Sequence, residues 1–345
     1  MTTDLTTIPG VDSAGLRAWF DSIGVSHSGA LRFGRIGLGQ SNLTYWVRDQ
    51  VGRRWVLRRP PLGHTLASAH DVVREARILR ALDATDVPTP RIFGVAEAGV
   101  AGDAPAVLME FVDGHVNDTA EALASLTPHQ RRATALSMVE TLARVHAVDL
   151  ERTGLDTLAS HAPYAQRQLQ RWTRQWYASW QGDNREFDAL TARLTDAIPV
   201  RQEIRLVHGD FHLRNVITSR STGAVAAVLD WELSTLGDPM ADMGSTLAYW
   251  PKPGEPAFGH GMPALAGIPG LEEMGRAYAE ASGRGSDALW FWYVLGLWKI
   301  AAIYAGIMRR TKDNPGNRSS VRRPEEADVL SLLSSATAAA NEVGL

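Results

Sequence analysis

Three oxygen-bearing side chains fall close together in this 345-residue chain: Asp210 and Asn215 in V-H-G-D-F-H-L-R-N (Val207 to Asn215), and Asp230 in V-L-D-W-E. Their types suit phosphoryl transfer. A carboxylate can orient an attacking hydroxyl and receive its proton, while an amide oxygen and a second carboxylate are the hard ligands that Mg2+ takes as it neutralises the phosphates of ATP. Asp210 is therefore the candidate catalytic residue, with Asn215 and Asp230 as candidate metal ligands. If the backbone stays extended, Glu232 lies on the same side as Asp230 and joins the metal set, directly or through water. An Asp after H-G would by itself read as a turn cap; the three together favour the catalytic reading.

These groups need a scaffold, and the chain divides near residue 113 into 1–113 and 114–345. In the first part, Leu31 to Ile36, Leu43 to Arg48 and Arg53 to Arg58 read as an antiparallel meander separated by turn signals. The spacing predicts one helix over His70 to Leu82, followed by strands at Arg91 to Ala96 and Ala106 to Val112, and a hinge at D-G-H. The second part is mainly helical, with helices expected at Pro128 to Val148, Ala162 to Trp180, Phe187 to Ala197, Pro239 to Trp250, Leu271 to Ser282, Asp287 to Arg310 and Pro324 to Asn341. Short strands at Ile204 to His208, Asn215 to Thr218 and Ala224 to Leu229 flank the opening motif and aim its polar groups from strand ends. The fold class is α+β.

Composition narrows the chemistry. With 35 basic and 38 acidic residues the net charge is -3, which gives no reason to expect nucleic-acid or anionic-membrane partners. The absence of Cys excludes disulfides, thiolate zinc sites and cysteine nucleophiles. No secretory pattern is visible at the start, so a cytoplasmic protein is the expectation. The most apolar window, Ala288 to Met308, contains Lys299 and several aromatic residues and reads as a buried helix rather than a membrane span.

Several motifs in order carry a resemblance: L-R-R-P-P-L-G-H (Leu57 to His64), R-E-A-R-I-L-R-A-L (Arg74 to Leu82), V-H-G-D-F-H-L-R-N, L-D-W-E and L-G-D-P-M-A-D-M-G (Leu236 to Gly244). The chain resembles the aminoglycoside phosphotransferase and choline kinase superfamily, most of all the kinase-like domain found alone in bacteria or joined to acyl-CoA dehydrogenases. The resemblance implies a two-lobed protein-kinase-like fold, with a small antiparallel sheet and one inserted helix ahead of a larger helical lobe. It also implies ATP and Mg2+ as cofactors. The step from Asp210 to Asn215 matches H-R-D-x-x-x-x-N of protein kinases. Gly37, Gly39, Gln40, Ser41 and Asn42 would then form a phosphate-facing hairpin; G-x-G-x-S-N is not a full G-x-G-x-x-G and alone would read as an ordinary turn, but its position ahead of the other motifs favours the phosphate-facing reading. Arg58 stands where kinases carry a phosphate-binding Lys, with Glu75 as its natural ion-pair partner. Glu110, Phe111 and Val112 would offer backbone groups to adenine beside Met109. His208 is expected to hold the loop by hydrogen bonding, His212 to be less constrained, and Asp238 to cap the helix that follows it.

The expected partner is a small molecule bearing a hydroxyl. Trp172, Trp176, Tyr177, Trp180, Trp250, Trp290, Trp292 and Trp298 make a partly apolar acceptor more natural than a polycation, although most of these rings are expected to be helix packing. A basic stretch with Arg310, Lys312, Arg318 and Arg322 would suit the phosphates of a CoA-like carrier, or be a solvated loop. A hydroxyacyl-CoA or hydroxy acid is the leading acceptor, an aminoglycoside or choline the alternative, and a non-catalytic nucleotide-binding module the reading of another class. A protein kinase is disfavoured, because D-F-G, A-P-E and an activation segment are missing between Asp230 and Asp238.

Overall fold

β-prone residues in alternation build the first unit, in a computed structural model that describes residues 5–37, 42–62, 71–159, 163–252, 263–313 and 324–345. Helix α1 (Ser13–Ser22) precedes strands β1 (Arg32–Ile36), β2 (Leu43–Arg48) and β3 (Arg54–Arg59). Helix α2 (Val72–Leu82) and strands β4 (Ile92–Ala96) and β5 (Ala106–Glu110) follow, and the five strands form one antiparallel sheet in the order β1-β2-β3-β5-β4. Leu16, Trp19 and Phe20 of α1 bury against Phe33, Val47, Leu57 and Leu108 on one face of this sheet. Val72 and Ala76 of α2 bury against Val107 and Met109 on the other. Each Val, Leu, Phe or Met side chain among these, taken fully out of water, contributes about 1.5–3 kcal/mol.

The period of two decides what β3 presents. Leu57 and Arg59 face the α1 core, whereas Val56 and Arg58 face α2. Arg59 is buried, donates to Pro9 O at 3.2 Å and pairs with Asp103 at 2.5 Å, which leaves Arg58 for the opposite side.

The second unit opens with β6 (His115–Val116), α3 (Ala120–Ser125), α4 (Pro128–His146), α5 (Leu150–Thr153), α6 (Tyr164–Ser179) and α7 (Arg185–Asp196). It continues through β7 (Arg205–Val207), β8 (Val216–Thr218), β9 (Val225–Val228), β10 (Thr235–Gly237), α8 (Pro239–Ala248), α9 (Leu271–Ser282), α10 (Leu289–Asp313) and α11 (Glu326–Glu342). The two compact units are Met1–Gly114 with Ala226–Glu232, and His115–Val225 with Leu233–Leu345, so part of β9 and the L-D-W-E motif belong to the first.

Central to the second unit is α10, which packs on α6, α8 and α11. Its apolar length would suffice to cross a membrane, but 83% of that apolar window is buried inside the protein. A Cβ on Gly244 of α8 would lie 2.4 Å from the backbone of Trp292. Only glycine lets those two helices approach so closely. Neither α1 nor the short elements α3, α5, β6 and β10 is anticipated by the sequence reading, whereas the five sheet strands and the seven longer helices of the second unit fall where expected, within a few residues at their ends.

Candidate active site

Asp210 sits on an irregular stretch between β7 and β8, and irregular buried backbone must find hydrogen bonds outside a ladder. Here side chains supply them. Asp242, buried in the first turn of α8, accepts the backbone N–H groups of His208, at 2.5 Å, and of Gly209, at 2.8 Å. Ser234 Oγ donates to His208 O at 3.3 Å, Lys299 Nζ of α10 to Gly209 O at 3.4 Å, and Thr246 Oγ1 of α8 to Phe211 O at 2.8 Å. Behind Asp242, His146 Nε2 lies 3.3 Å from its Oδ2, and His146 Nδ1 lies 2.6 Å from Tyr278 Oη. Gly209 has φ of 86°, and a Cβ there would meet Leu233 O at 2.6 Å. Glycine is therefore demanded twice over, by conformation and by space.

The loop delivers a half-exposed carboxylate with its neighbours in place. Asp210 Oδ2 lies 3.3 Å from His212 Nε2, and Asn215 Nδ2 donates to Asp210 O at 2.8 Å and to Oδ2 at 3.3 Å. Burial opposes the charge on Asp210, but His212, Lys299 and His208 outweigh it and hold the carboxyl well below the usual carboxylate range. Asp210 is thus ionised at neutral pH. His212, expected to be loosely placed, is 9% exposed, its ring edge-on to Tyr249 with centroids 5.2 Å apart. His208 holds the loop as expected, its Nδ1 accepting the Asp210 N–H at 3.3 Å. With Nδ2 of Asn215 committed to Asp210, its Oδ1 is the atom able to meet a cation.

In the first unit the candidates converge on Arg58. Its Nε lies 2.8 Å from Glu75 Oε2, and its Nη2 lies 2.6 Å from Asp230 Oδ1 and 3.8 Å from Glu232 Oε2. Burial opposes the guanidinium charge, but Glu75, Asp230 and Glu232 together raise its pKa above the ordinary value. Burial pushes the Glu75 carboxyl up, and Arg58 opposes that. Glu75 Oε1 also accepts the Trp231 N–H at 3.2 Å, tying α2 to the L-D-W-E motif. Trp231–Leu233 form a 3-10 turn, so the extended backbone expected between Asp230 and Glu232 is not what the chain adopts, and Asp230 is the non-glycine residue at positive φ, 64°, among the described residues. Such a conformation costs about 1–3 kcal/mol and clusters at functional sites, and Asp tolerates it better than most residues. Asn42 Nδ2 donates to Glu232 Oε2 at 3.2 Å, and Arg74 to Glu232 O at 3.2 Å.

The remaining candidates divide. Gly37 closes β1, while Gly39, Gln40 and Ser41 lie outside the described residues. Glu110 ends β5 with its N–H given to Arg91 O at 2.8 Å, and the Phe111 ring carries the Arg54 guanidinium 4.1 Å from its centroid. Val112, which follows, is half-buried. Asp238 caps α8, accepting from Met240 N at 2.8 Å, and also accepts from Glu203 N at 3.0 Å. Among the aromatic residues, Trp176, Phe187 and Trp298 form a buried stack, with centroids 4.1 Å and 5.2 Å apart, so these rings are core. Exposed Tyr177 is bound to Asp188 at 2.7 Å, and Trp172 approaches a loop-binding cation, its ring centroid 5.7 Å from Lys299 Nζ. Arg310 and Lys312 end α10, and Arg318 and Arg322 lie outside the described residues.

Sequence reasoning missed Asp242 and Lys299 as parts of the site. Asp242 is visible as the second Asp of L-G-D-P-M-A-D-M-G, but that motif reads mainly as the helix cap at Asp238. Lys299 had a visible trace, as the charge interrupting the apolar window.

The chain is similar to known proteins over most of its length. A model of the phosphotransferase enzyme family matches residues 33–278, more than half of the chain. Mouse acyl-CoA dehydrogenase family member 10 is 36% identical over 294 residues, covering 84% of this chain; the chain spans 27% of that relative's length. A crystal structure of a putative aminoglycoside phosphotransferase from Ralstonia eutropha JMP134 is 30% identical, covers 96% of this chain and 97% of its own, and superposes with a TM-score of 0.78. A thermostable mutant of aminoglycoside phosphotransferase APH(4)-Ia, in ternary complex with ADP and hygromycin B, shares the fold at 15% identity and a TM-score of 0.60, over 94% of this chain and 97% of its own.

Proposed function

Starting from a chain that belongs to the phosphotransferase enzyme family, we propose that it uses Mg-ATP to phosphorylate a hydroxyl of a small molecule, a hydroxyacyl-CoA or related hydroxy acid. The observation that carries this is Asp210, kept ionised and partly exposed on a loop whose backbone is pinned from α8 and α10. Its carboxylate accepts the hydrogen bond of the acceptor hydroxyl and directs that oxygen at the γ-phosphorus. The new O–P bond forms in line as the bond to the ADP leaving oxygen breaks, and Asp210 receives the proton late. His212 and Asn215 hold the carboxylate in place through contacts of 3.3 Å to its Oδ2.

Asn215, Asp230 and Glu232 are the residues that would hold Mg2+. Their oxygens are the hard donors that ion selects, and the 2.6 Å pairing of Asp230 with Arg58 already identifies a carboxylate organised to meet positive charge. When bound, the ion would neutralise charge building on the phosphates. ATP as the donor is in keeping with the ADP complex of the APH(4)-Ia structure. For the acceptor, Lys299, which α10 brings against the Asp210 loop, with Arg171 over Trp172 at 5.1 Å, speaks against a polycation such as an aminoglycoside. The likeness to an acyl-CoA dehydrogenase family member is the support for a hydroxyacyl compound. Incubation with γ-labelled ATP and panels of hydroxyacyl-CoAs, hydroxy acids, aminoglycosides, choline and sugars tests this. Label transfer to a hydroxyacyl compound is expected, and transfer confined to aminoglycosides would overturn the acceptor assignment.

A further inference from the structure

Lys299 is a partly buried ammonium in the middle of α10, flanked by the buried side chains Trp298 and Ile300. Such a group is costly to keep in an apolar helix unless it answers a specific demand. Its surroundings identify that demand. From α10, Nζ donates to Gly209 O at 3.4 Å. From α6, the Trp172 ring lies 5.7 Å away, and its indole N–H is anchored on Gln168 Oε1 at 2.9 Å. From the loop and α8, the carboxylates of Asp210 and Asp242 attract the ammonium, while Arg171 repels it; burial pulls its pKa down against the two carboxylates.

The bond to Gly209 O has a geometric consequence. The carbonyl of Gly209 and the N–H of Asp210 belong to one rigid peptide plane. Lys299 holds the oxygen end of that plane, and His208 Nδ1 holds the N–H end at 3.3 Å. Asp242 fixes the preceding plane through the Gly209 N–H at 2.8 Å. Gly209 is at φ of 86°, with no Cβ to resist rotation about its own backbone bonds, so the orientation of the following residue depends on these outside contacts.

We propose that Lys299 is a positioning residue for phosphoryl transfer, fixing the Gly209–Asp210 peptide so that the Asp210 carboxylate faces the acceptor hydroxyl. The proposal rests on the reading of Asp210 as the group that receives that hydroxyl. Hydrogen exchange on the full chain separates the two. In Lys299→Met, which keeps the stem but removes the charge and donor, amides of residues 208–215 should exchange about 10-fold faster than in the parent, while the sheet of the first unit keeps its rates. Lys299→Arg, which can still reach the carbonyl, should return them to within about 3-fold of the parent. With an acceptor from the panel, Lys299→Met should lower kcat by about 10- to 100-fold and leave the KM for ATP within about 2-fold, as expected when a reacting group is misplaced by a fraction of an ångström to an ångström. Unchanged exchange at 208–215 would overturn the proposal. So would faster exchange with an unchanged kcat, or acceleration spread over the whole chain, which would make Lys299 a residue of general stability. If the parent transfers phosphate to no acceptor, the functional reading fails alone, and the exchange measurement still decides whether Lys299 holds the peptide.

Discussion

Arg58 and Asp230, 172 positions apart in sequence, are joined by a 2.6 Å hydrogen bond. The same guanidinium reaches Glu75 at 2.8 Å through a different nitrogen. A planar fork can serve two carboxylates from fixed directions, which a single ammonium cannot, and this gives a physical reason for arginine rather than lysine at this position. Removing it leaves Glu75 buried without its counter-charge. Arg58→Ala should therefore destabilise the protein by about 3–5 kcal/mol, read from urea unfolding, with Arg58→Lys recovering only part of that loss. Full recovery by Lys would show that the fork is unnecessary.

Asp210→Ala should reduce phosphoryl transfer by about 100- to 10,000-fold, the range over which a positioned base contributes, and leave nucleotide affinity within about 3-fold. Labelled transfer assays and calorimetric titration with nucleotide check the two halves separately. Retained turnover would remove Asp210 from the chemistry.

Asp230→Asn keeps the size of the side chain but removes its negative charge, leaving one neutral amide oxygen as a ligand. Magnesium-dependent nucleotide affinity should fall about 10-fold or more, while binding measured in a chelator changes little. Equal losses in both conditions would instead point to the ion pair with Arg58 as the source.

Gly209→Ala should cost about 1–3 kcal/mol from backbone strain alone, and more from the clash with Leu233 O. Because the strain falls on the residue before Asp210, turnover should drop further than unfolding free energy accounts for. Thermal melts and kcat measured on the same preparation decide this.

Acid should weaken the fold through the pair behind the loop. Burial depresses the pKa of His146, with Asp242 opposing, so the folded state resists a proton that the unfolded chain takes up near pH 6.5. The stability is therefore complete above about pH 6.5 and declines as pH falls below it. Burial would raise Asp242, but His146, His208 and the Gly209 N–H reverse this and lower it, so its contribution is lost at still lower pH. Unfolding free energies from pH 8 to 5 should fall, and His146→Phe should flatten the upper part of that slope. A slope unaltered in the variant would assign it to other groups.

What the sequence disclosed follows from what was local. Asp210, Asn215 and Asp230 stood out by type and spacing, and the structure sets Asn215 against Asp210 and Asp230 against Arg58; the sheet strands were readable in their alternation. Helix α1 was not, although Asp12 caps it and Leu16, Trp19 and Phe20 share a face, because ten residues containing Gly15 carry little intrinsic helical signal. Strands β6 and β10 are two and three residues long, and they exist only through pairing with segments far away in sequence. Asp242 and Lys299 became part of the site only when α8 and α10 had been packed under the loop, and Asp242 differs from a helix-capping neighbour only in what lies above it.

The passage of Ala226–Glu232 into the first unit sets an order of events. A nascent chain that has emerged only as far as Gly114 contains every strand of the five-stranded sheet, yet lacks Asp230 and the Trp231 amide, the groups that engage Arg58 and Glu75. The amino-terminal unit therefore completes its charge-bearing interior only after more than a hundred further residues have been synthesised. Cutting the gene at the apparent hinge would separate that unit from a part of itself.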